Sequence, residues 1–418
     1  MTQNHINKKK IINDPVFGFI NLQSELVFDL VEHPMFQRLR RIKQLGLSYL
    51  VFPGANHSRF EHAIGATHLM RQAISVLRLK DIEISDEEAE AVTVAILLHD
   101  IGHAPFSHVL ENTLVEISHE EISLLLMHEL NKQFDGKLDL AIKIFTNQYK
   151  KQFLHQLVSS QLDMDRLDYL SRDSFFTGVA EGTVGVERII KMLNVYNDQL
   201  VVDVKGIYSI EKFLISRRLM YWQVYLHKTV VSAEYLLINV LKRAKALVAV
   251  GTPVFATPSL DIFIRSNLTS SQFHKNILVE EKNILSWYSL LDDSDISVSI
   301  KEWQNHPDLV LSWLAKSLTN RKLFKATLQT KPVSKLLTDK IIENITQQIT
   351  KDRSLSEYFL MTGEITNSAY NRHNENILML DKNKKLKDIR EASDIDLSVF
   401  TKIVRKYYLC YPKELVVN

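Results

Sequence analysis

Apolar residues recur at helical spacing over most of the chain, and the runs are separated by proline, glycine and capping residues. A short extended or turn segment opens residues 16–51. A helix with a basic face is predicted from about Pro34 to Gln44, and Val51-Phe52-Pro53-Gly54 reads as a turn. The next helix runs from about Ser58 to Leu79, with Ile64, Leu69, Ile74 and Leu77 among its apolar positions. Ser85 followed three residues later by Glu88 is a capping box that starts another. The stretch Ala91 to Leu98 is apolar on every face, which predicts a buried helix. It stops at His99-Asp100-Ile101-Gly102, with Pro105 just beyond. Polar, metal-binding side chains at the end of such a helix are out of keeping with its surroundings.

Further helices are predicted over residues 117–135, 139–158 and about 160–175. Leu200 to Val204, followed by Gly206, reads as a short hairpin. From Ser209 to about Val248 the pattern is one long helix or two in line. Ten of the twelve glycines lie at or before Gly206, so the turns belong to the early part and residues 260–418 are expected to be helical with charge-rich loops. The predicted fold class is therefore all-α: an N-terminal segment over 1–15, a helical core over 16–235 and a helical C-terminal region over 236–418. No internal repeat or low-complexity tract interrupts it.

At 418 residues the chain is long enough for one large core with an appended region or for two domains, and 45% hydrophobic residues suffice to fill it. The formal net charge of +2 argues against a protein built to coat nucleic acid. Basic clusters occur at Lys8-Lys9-Lys10 and around Arg38, Arg40, Arg41 and Lys43; each reads equally as a solvated face or an anion site. The one cysteine, Cys410, excludes an internal disulfide and a cysteine-based zinc site, so any metal must sit on histidines and carboxylates. No apolar h-region follows the basic N-terminal residues and no run approaches the length of a membrane span, so a cytoplasmic protein is expected. A phosphate-binding G-x-x-x-x-G-K loop is absent.

The candidate chemistry lies in His62, His99-Asp100, His103, His108, His119 and the acids Asp163, Asp165, Asp168 and Asp173. Burying a carboxylate without a partner is costly, and a metal ion offsets that cost. Two imidazoles and two carboxylates give a mixed shell suited to Mn, Fe, Mg or Zn, with positions left open for water and a phosphate oxygen. A lone buried histidine is more often a hydrogen-bonded core residue. The joint pattern, with candidate ligands from three helices and two histidines soon after the H-D pair, points to a metal centre instead.

The arrangement resembles the HD superfamily, and within it the deoxynucleoside triphosphate (dNTP) triphosphohydrolase branch. The resemblance is carried by Ile12-Asn13-Asp14-Pro15, Phe36-Gln37-Arg38-Leu39-Arg40, Lys43-Gln44-Leu45-Gly46 and Val51-Phe52-Pro53-Gly54-Ala55. It continues through Arg59-Phe60-Glu61-His62, the run Leu98 to His108, Asp163-Met164-Asp165 and His227-Lys228, so it spans about residues 10–230. No SAM domain is expected ahead of it.

The resemblance implies that His62, His99, Asp100 and Asp165 hold a divalent metal. It places His103 and His108 at the phosphates, one of them as general acid, with Glu111 and His119 in support. Arg59, Arg166 and Arg217 would hold the triphosphate, Arg being suited to bidentate contacts. Gln44 and Asp173 would bond the sugar 3′-hydroxyl, while Tyr169 and Leu45 would leave no room for a 2′-hydroxyl. Asp163, Tyr221 and Tyr225 complete the implied substrate site. Lys10, Gln37 and Arg40 match a regulatory nucleotide site in a family whose members assemble into oligomers, and Glu32 stands near the place of that site's base-reading Asp, so a nucleotide activator and a homo-dimer or tetramer are expected. From the residues alone, Tyr169 and Leu45 also read as core, and Asp168 and Asp173 as helix partners of Arg166 and Arg172. Two other readings are an HD phosphohydrolase acting on a monophosphate, cyclic or signalling nucleotide, and a non-catalytic binder of nucleotides or single-stranded nucleic acid.

Overall fold

The computed structural model describes residues 10–22, 24–110, 113–367, 370, 376–397, 400 and 402–415. It opens with an antiparallel hairpin, β1 (Lys10–Asp14) and β2 (Gly18–Leu22). The helices α1 (Glu25–Glu32), α2 (Pro34–Gln37), α3 (Arg59–Leu79), α4 (Asp86–Leu98), α5 (His119–Gln133), α6 (Asp139–Phe145), α7 (Gln152–Val158) and α8 (Met164–Thr177) follow. Next come α9 (Val186–Met192), the hairpin β3 (Leu193–Tyr196) and β4 (Gln199–Asp203), then α10 (Ile207–Met220) and α11 (Lys228–Ala249).

Helix α3 lies at the centre, packed between α4 and α8. Capping boxes start α3 at Ser58/Glu61 and α4 at Ser85/Glu88, as the second spacing predicts. Residues 91–98 of α4 are all buried, in keeping with a run that is apolar on every face. Gly65 lets α8 approach α3 closely: a Cβ there would stand 1.9 Å from Asp168 Oδ1 and 2.1 Å from Arg172 Nη2.

Two expected elements differ. The helix expected over 34–44 is α2 followed by a 3-10 turn at Arg38–Arg41. Arg38, wholly buried, bonds the carbonyls of Leu291, Ile101 and His103, and the chain bends there to serve that clamp. The stretch 139–158 is two helices, broken where Asn147 takes a φ of +56°. The long pattern after Ser209 takes the second of its two expected forms, two helices, α10 and α11, joined by a π turn at Tyr221–Tyr225.

The helical expectation holds for the core but not for every element. The C-terminal region contains a three-stranded antiparallel sheet in which Val404–Tyr411 lies between Lys325–Gln329 and Met361–Asn367. Leu378–Leu380 pairs in parallel with β4, tying the two halves into one sheet. Aromatic residues drive the first of these: Tyr408 stacks on Tyr235 of α11, with ring centroids 4.5 Å apart. Helix α11 runs unbroken through the expected boundary at 235–236. No helix among the described residues is long and apolar enough to cross a membrane.

Candidate active site

Three helices deliver the candidate ligands. His62 stands in the first turn of α3, His99 and Asp100 follow the end of α4, and Asp165 stands in the first turn of α8. His62 Nε2 lies 3.1 Å from Asp165 Oδ1 and 3.6 Å from Asp100 Oδ2. His99 Nε2 lies 3.3 Å from Asp100 Oδ1 and 3.6 Å from Asp165 Oδ1. Donor atoms of His62, His99 and Asp100 fall within 4.8 Å of one another, and those of Asp100, His103 and His119 form a second such group.

The outer nitrogens fix how these imidazoles present themselves. His62 Nδ1 donates to Asp168 Oδ2 at 2.7 Å, and His99 Nδ1 to the Ile96 carbonyl at 2.6 Å. Both Nε2 atoms are buried, face inward and make no well-formed hydrogen bond. Two inward imidazole nitrogens beside two carboxylates are what a divalent cation requires once it displaces a ring proton, and the residues fit one. Electrostatics agree. Burial would lower His62, but the Asp165 and Asp168 carboxylates outweigh it and push it up to about 10. Burial would raise Asp100, yet His99, Arg59 and His62 hold it at about 2. Asp165, despite burial, is kept well below the usual carboxylate range by His62 and His99. The acids are thus anionic at neutral pH and the cluster draws positive charge.

A cleft of about 370 Å³ opens over this cluster. Its walls bring together Gln44, Leu45, Arg59, Arg166, Tyr169, Asp173, Tyr221 and Tyr225 with Asp100, Asp165, His103 and His119; Glu120, which sequence reasoning missed, also lines it. The His103 and His119 rings lie 3.9 Å apart. Arg59 bonds Ser107 Oγ at 2.8 Å and also pairs with Asp100. The π turn, a form frequent at functional sites, sets Tyr221 and Tyr225 on the same wall. The side chain of His108 and the whole of Glu111 lie outside the described residues.

Two expected substrate residues stand behind the walls. Asp163 caps α8 through the Arg166 N–H at 2.7 Å and pairs with the Arg166 side chain. Arg217 donates to Gln161 Oε1 at 3.0 Å. The helix pairing expected of Asp168 with an arginine falls to Arg172, whose Nη2 is 2.9 Å from Asp168 Oδ1. Asp173 instead accepts from Tyr225 Oη at 2.7 Å, and its other oxygen lies 2.8 Å from His57 Nε2.

None of the four residues assigned to a regulatory site lines the cleft. Lys10 pairs with Glu32. Gln37 donates to the Val31 carbonyl at 2.6 Å and accepts from Arg40 Nε at 2.8 Å, while the Arg40 guanidinium sits 3.5 Å above the Phe60 ring.

Sequence reasoning also missed Asp293, which reaches back from residue 293 to accept from the N–H groups of Lys43 at 2.9 Å and Phe106 at 2.7 Å. Nothing near it in the sequence marks that contact. Asp14 was quoted only within a motif. It accepts from Arg172 Nη1 at 2.7 Å, so the hairpin turn is joined to the metal cluster through Arg172 and Asp168.

Residues 59–173 match the HD domain family, and residues 184–249 match the HD associated region. A protein of Bacillus subtilis named uncharacterized protein YwfO is 32% identical over 98% of this chain and 94% of its own. The human deoxynucleoside triphosphate triphosphohydrolase SAMHD1 is 32% identical over 47% of this chain and 37% of its own length. A crystal structure of a phosphohydrolase from Bacteroides thetaiotaomicron is 52% identical, covers 97% of this chain and 100% of that one, and superposes with a TM-score of 0.92. With the H…HD…D residues converging as they do, and with a relative similar along nearly its whole length, the chain belongs to the metal-dependent HD-domain phosphohydrolase family.

Proposed function

We propose that the protein hydrolyses dNTPs to a deoxynucleoside and inorganic triphosphate. The observation that carries this reading is the composition of the one cleft over the ligand cluster. Cationic Arg59 and Arg166 stand with the histidines and metal ligands, while Gln44, Leu45, Tyr169 and Asp173 supply hydrogen-bonding and packing groups of the kind a sugar needs. The likeness to the human enzyme named above supports the same choice.

His62, His99, Asp100 and Asp165 would hold a divalent metal, which supplies Lewis-acid polarisation and activates water. Arg59 and Arg166 offer guanidinium donors to the triphosphate oxygens and offset the charge that grows there in the transition state. A water oxygen attacks the α-phosphorus, the bond from phosphorus to the 5′-oxygen breaks, and the new oxygen leaves with the triphosphate. The departing 5′-oxygen takes its proton from an imidazole, the role we assign to His103 or His108, with His119, whose ring lies against that of His103, and Glu111 in support. Gln44 and Asp173 receive the 3′-hydroxyl. Tyr169 and Leu45 close the space beside C2′. Tyr221 and Tyr225 complete the wall. Asp163 and Arg217 act from behind it, Asp163 by holding Arg166.

We further assign Lys10, Glu32, Gln37 and Arg40 to a nucleotide activator site, with a homo-oligomer as the working state. The 236–418 region would serve assembly and regulation, beyond a 16–235 catalytic core and a 1–15 N-terminal segment.

The test incubates purified protein with each dNTP and each ribonucleoside triphosphate, singly and in mixtures, with Mn²⁺ or Mg²⁺, beside Asp100→Ala. Release of deoxynucleoside and triphosphate from dNTPs alone, abolished by the substitution, is the expected outcome. Mono- or diphosphate products would replace it with a general nucleotide phosphohydrolase. Salt-sensitive binding of single strands with no turnover would replace it with a binding role.

A further inference from the structure

The Val51–Ala55 turn carries a motif to which none of the roles above gives a task. Its position supplies one. Gly54 lies against the end of α8, where a Cβ would come within 2.5 Å of the Phe176 carbonyl oxygen. Only a residue without a side chain fits, so the turn seats directly on α8. Three residues later His57 is drawn under the cleft, 2% exposed, with its ring stacked on Phe176 at 4.5 Å and 17°.

His57 touches both residues assigned to the sugar. Its Nε2 is 2.8 Å from Asp173 Oδ1, and its carbonyl accepts from the Gln44 N–H at 3.0 Å. A bridge between Lys43 and Ser58 holds the two segments side by side. His57 Nδ1 is buried with no hydrogen-bond partner, so Nε2 is the nitrogen that donates. Tyr225 Oη engages Asp173 Oδ2, so each carboxylate oxygen has one fixed donor and its plane is set. One lone pair on each oxygen is left for a ligand. Gln44 Oε1 is also buried and unpartnered. Such an atom, on the cleft wall, awaits a donor.

We infer that His57 is a positioning residue for sugar recognition: it locks the Asp173 carboxylate and the Gln44 backbone in the register that receives the 3′-hydroxyl. The inference rests on the proposed dNTP reading. His57 does not touch the substrate. It acts through Asp173 and Gln44, as an outer group that fixes the orientation of an inner one.

The test compares wild type, His57→Phe, His57→Gln and His57→Asn on a dNTP and on its 2′,3′-dideoxy counterpart, with a dNTP mixture present as activator. The dideoxy compound is read as kcat/KM or, where turnover is too slow, as its Ki in competition. Phe keeps the ring stack and loses the donor. Gln places an amide nitrogen near the place of Nε2, and Asn falls short of Asp173. Expected is a fall of about 10- to 100-fold in kcat/KM for the dNTP in His57→Phe, with the dideoxy value changed by no more than about twofold. His57→Gln recovers most of the loss and His57→Asn does not. Equal losses on both compounds, no loss on either, or no difference between Gln and Asn would overturn the role. Should His57→Phe not fold, the Gln and Asn pair carries the same comparison. Wild type that turns over no dNTP overturns the sugar reading and this role with it, and is recognised before any variant is assayed.

Discussion

His62 Nδ1 donates to Asp168 Oδ2 across 2.7 Å, and neither side chain has any exposed surface. The bond decides which His62 nitrogen faces the other ligands. Asp168→Asn can turn an amide N–H toward Nδ1 and lose that control. Metal affinity is then expected to fall about 10- to 100-fold, the usual effect of removing an outer partner of a ligating histidine. Competition with a chelator, followed by metal analysis, measures it; an unchanged affinity would show that α3 alone sets the ring.

Arg172 is fully buried and held by two carboxylates, Asp168 from its own helix and Asp14 from the hairpin turn. Asp14 also accepts the N–H groups of Val16 and Phe17, each at 2.9 Å. Asp14→Ala leaves part of a buried guanidinium and two backbone donors unpaired. Urea unfolding is expected to show a loss of about 3–5 kcal/mol, the range for breaking a buried pair on one side. A loss below about 1 kcal/mol would mean that water replaces the carboxylate.

Asp293 fastens the backbones of Lys43 and Phe106, next to Gln44 on the cleft wall and to Ser107, which bonds Arg59. Asp293→Ala frees both. With reacting groups misplaced by small distances, kcat/KM is expected to fall about tenfold or more while metal content stays at the wild-type level. Loss of metal together with activity would instead place Asp293 in support of the ligand cluster.

Glu88 shows how acid should weaken the core. Burial would raise its carboxyl, but Lys151 at 2.8 Å, Tyr149 at 2.7 Å and its own cap at Ser85 outweigh burial and hold it below its ordinary value. The folded state therefore binds this proton less readily than the unfolded chain. Its contribution is complete above the unfolded value, roughly pH 4–5, and fades as pH falls through the lower folded value. Glu88→Gln is expected to cost about 1–2 kcal/mol at pH 7, with wild type and variant converging in acid. Parallel urea midpoints from neutral pH downward test this, and a gap that stays constant would exclude the charge as its cause.

The cluster of candidate ligands was legible in the sequence because its parts are local. His99-Asp100 closes a helix whose second half is wholly apolar, and Asp165 lies in the short run Asp163-Met164-Asp165. Boundaries failed where a distant partner overrules local pattern. Pro34 to Gln44 has helical spacing, yet Arg38 turns the chain to meet Leu291. The strand Val404–Tyr411 was hidden because it lacks clean alternation and is made by its neighbours Lys325–Gln329 and Met361–Asn367. His57 was overlooked for a similar reason. Its partners are Asp173, 116 residues away, and a carbonyl bond to Gln44, and neither leaves a periodic trace.

The same long reach sets a timetable for synthesis. All four candidate metal ligands have been made once residue 165 is joined. The contacts that pin the cleft come from much later, since Leu291 lies 253 residues from Arg38 and Asp293 lies 187 from Phe106. At the usual pace of translation this interval lasts on the order of ten seconds. A nascent chain thus holds a full set of metal-binding side chains well before the frame that aims them exists. The side chains suited to a cation are therefore complete in the chain before the contacts that aim the cleft can form.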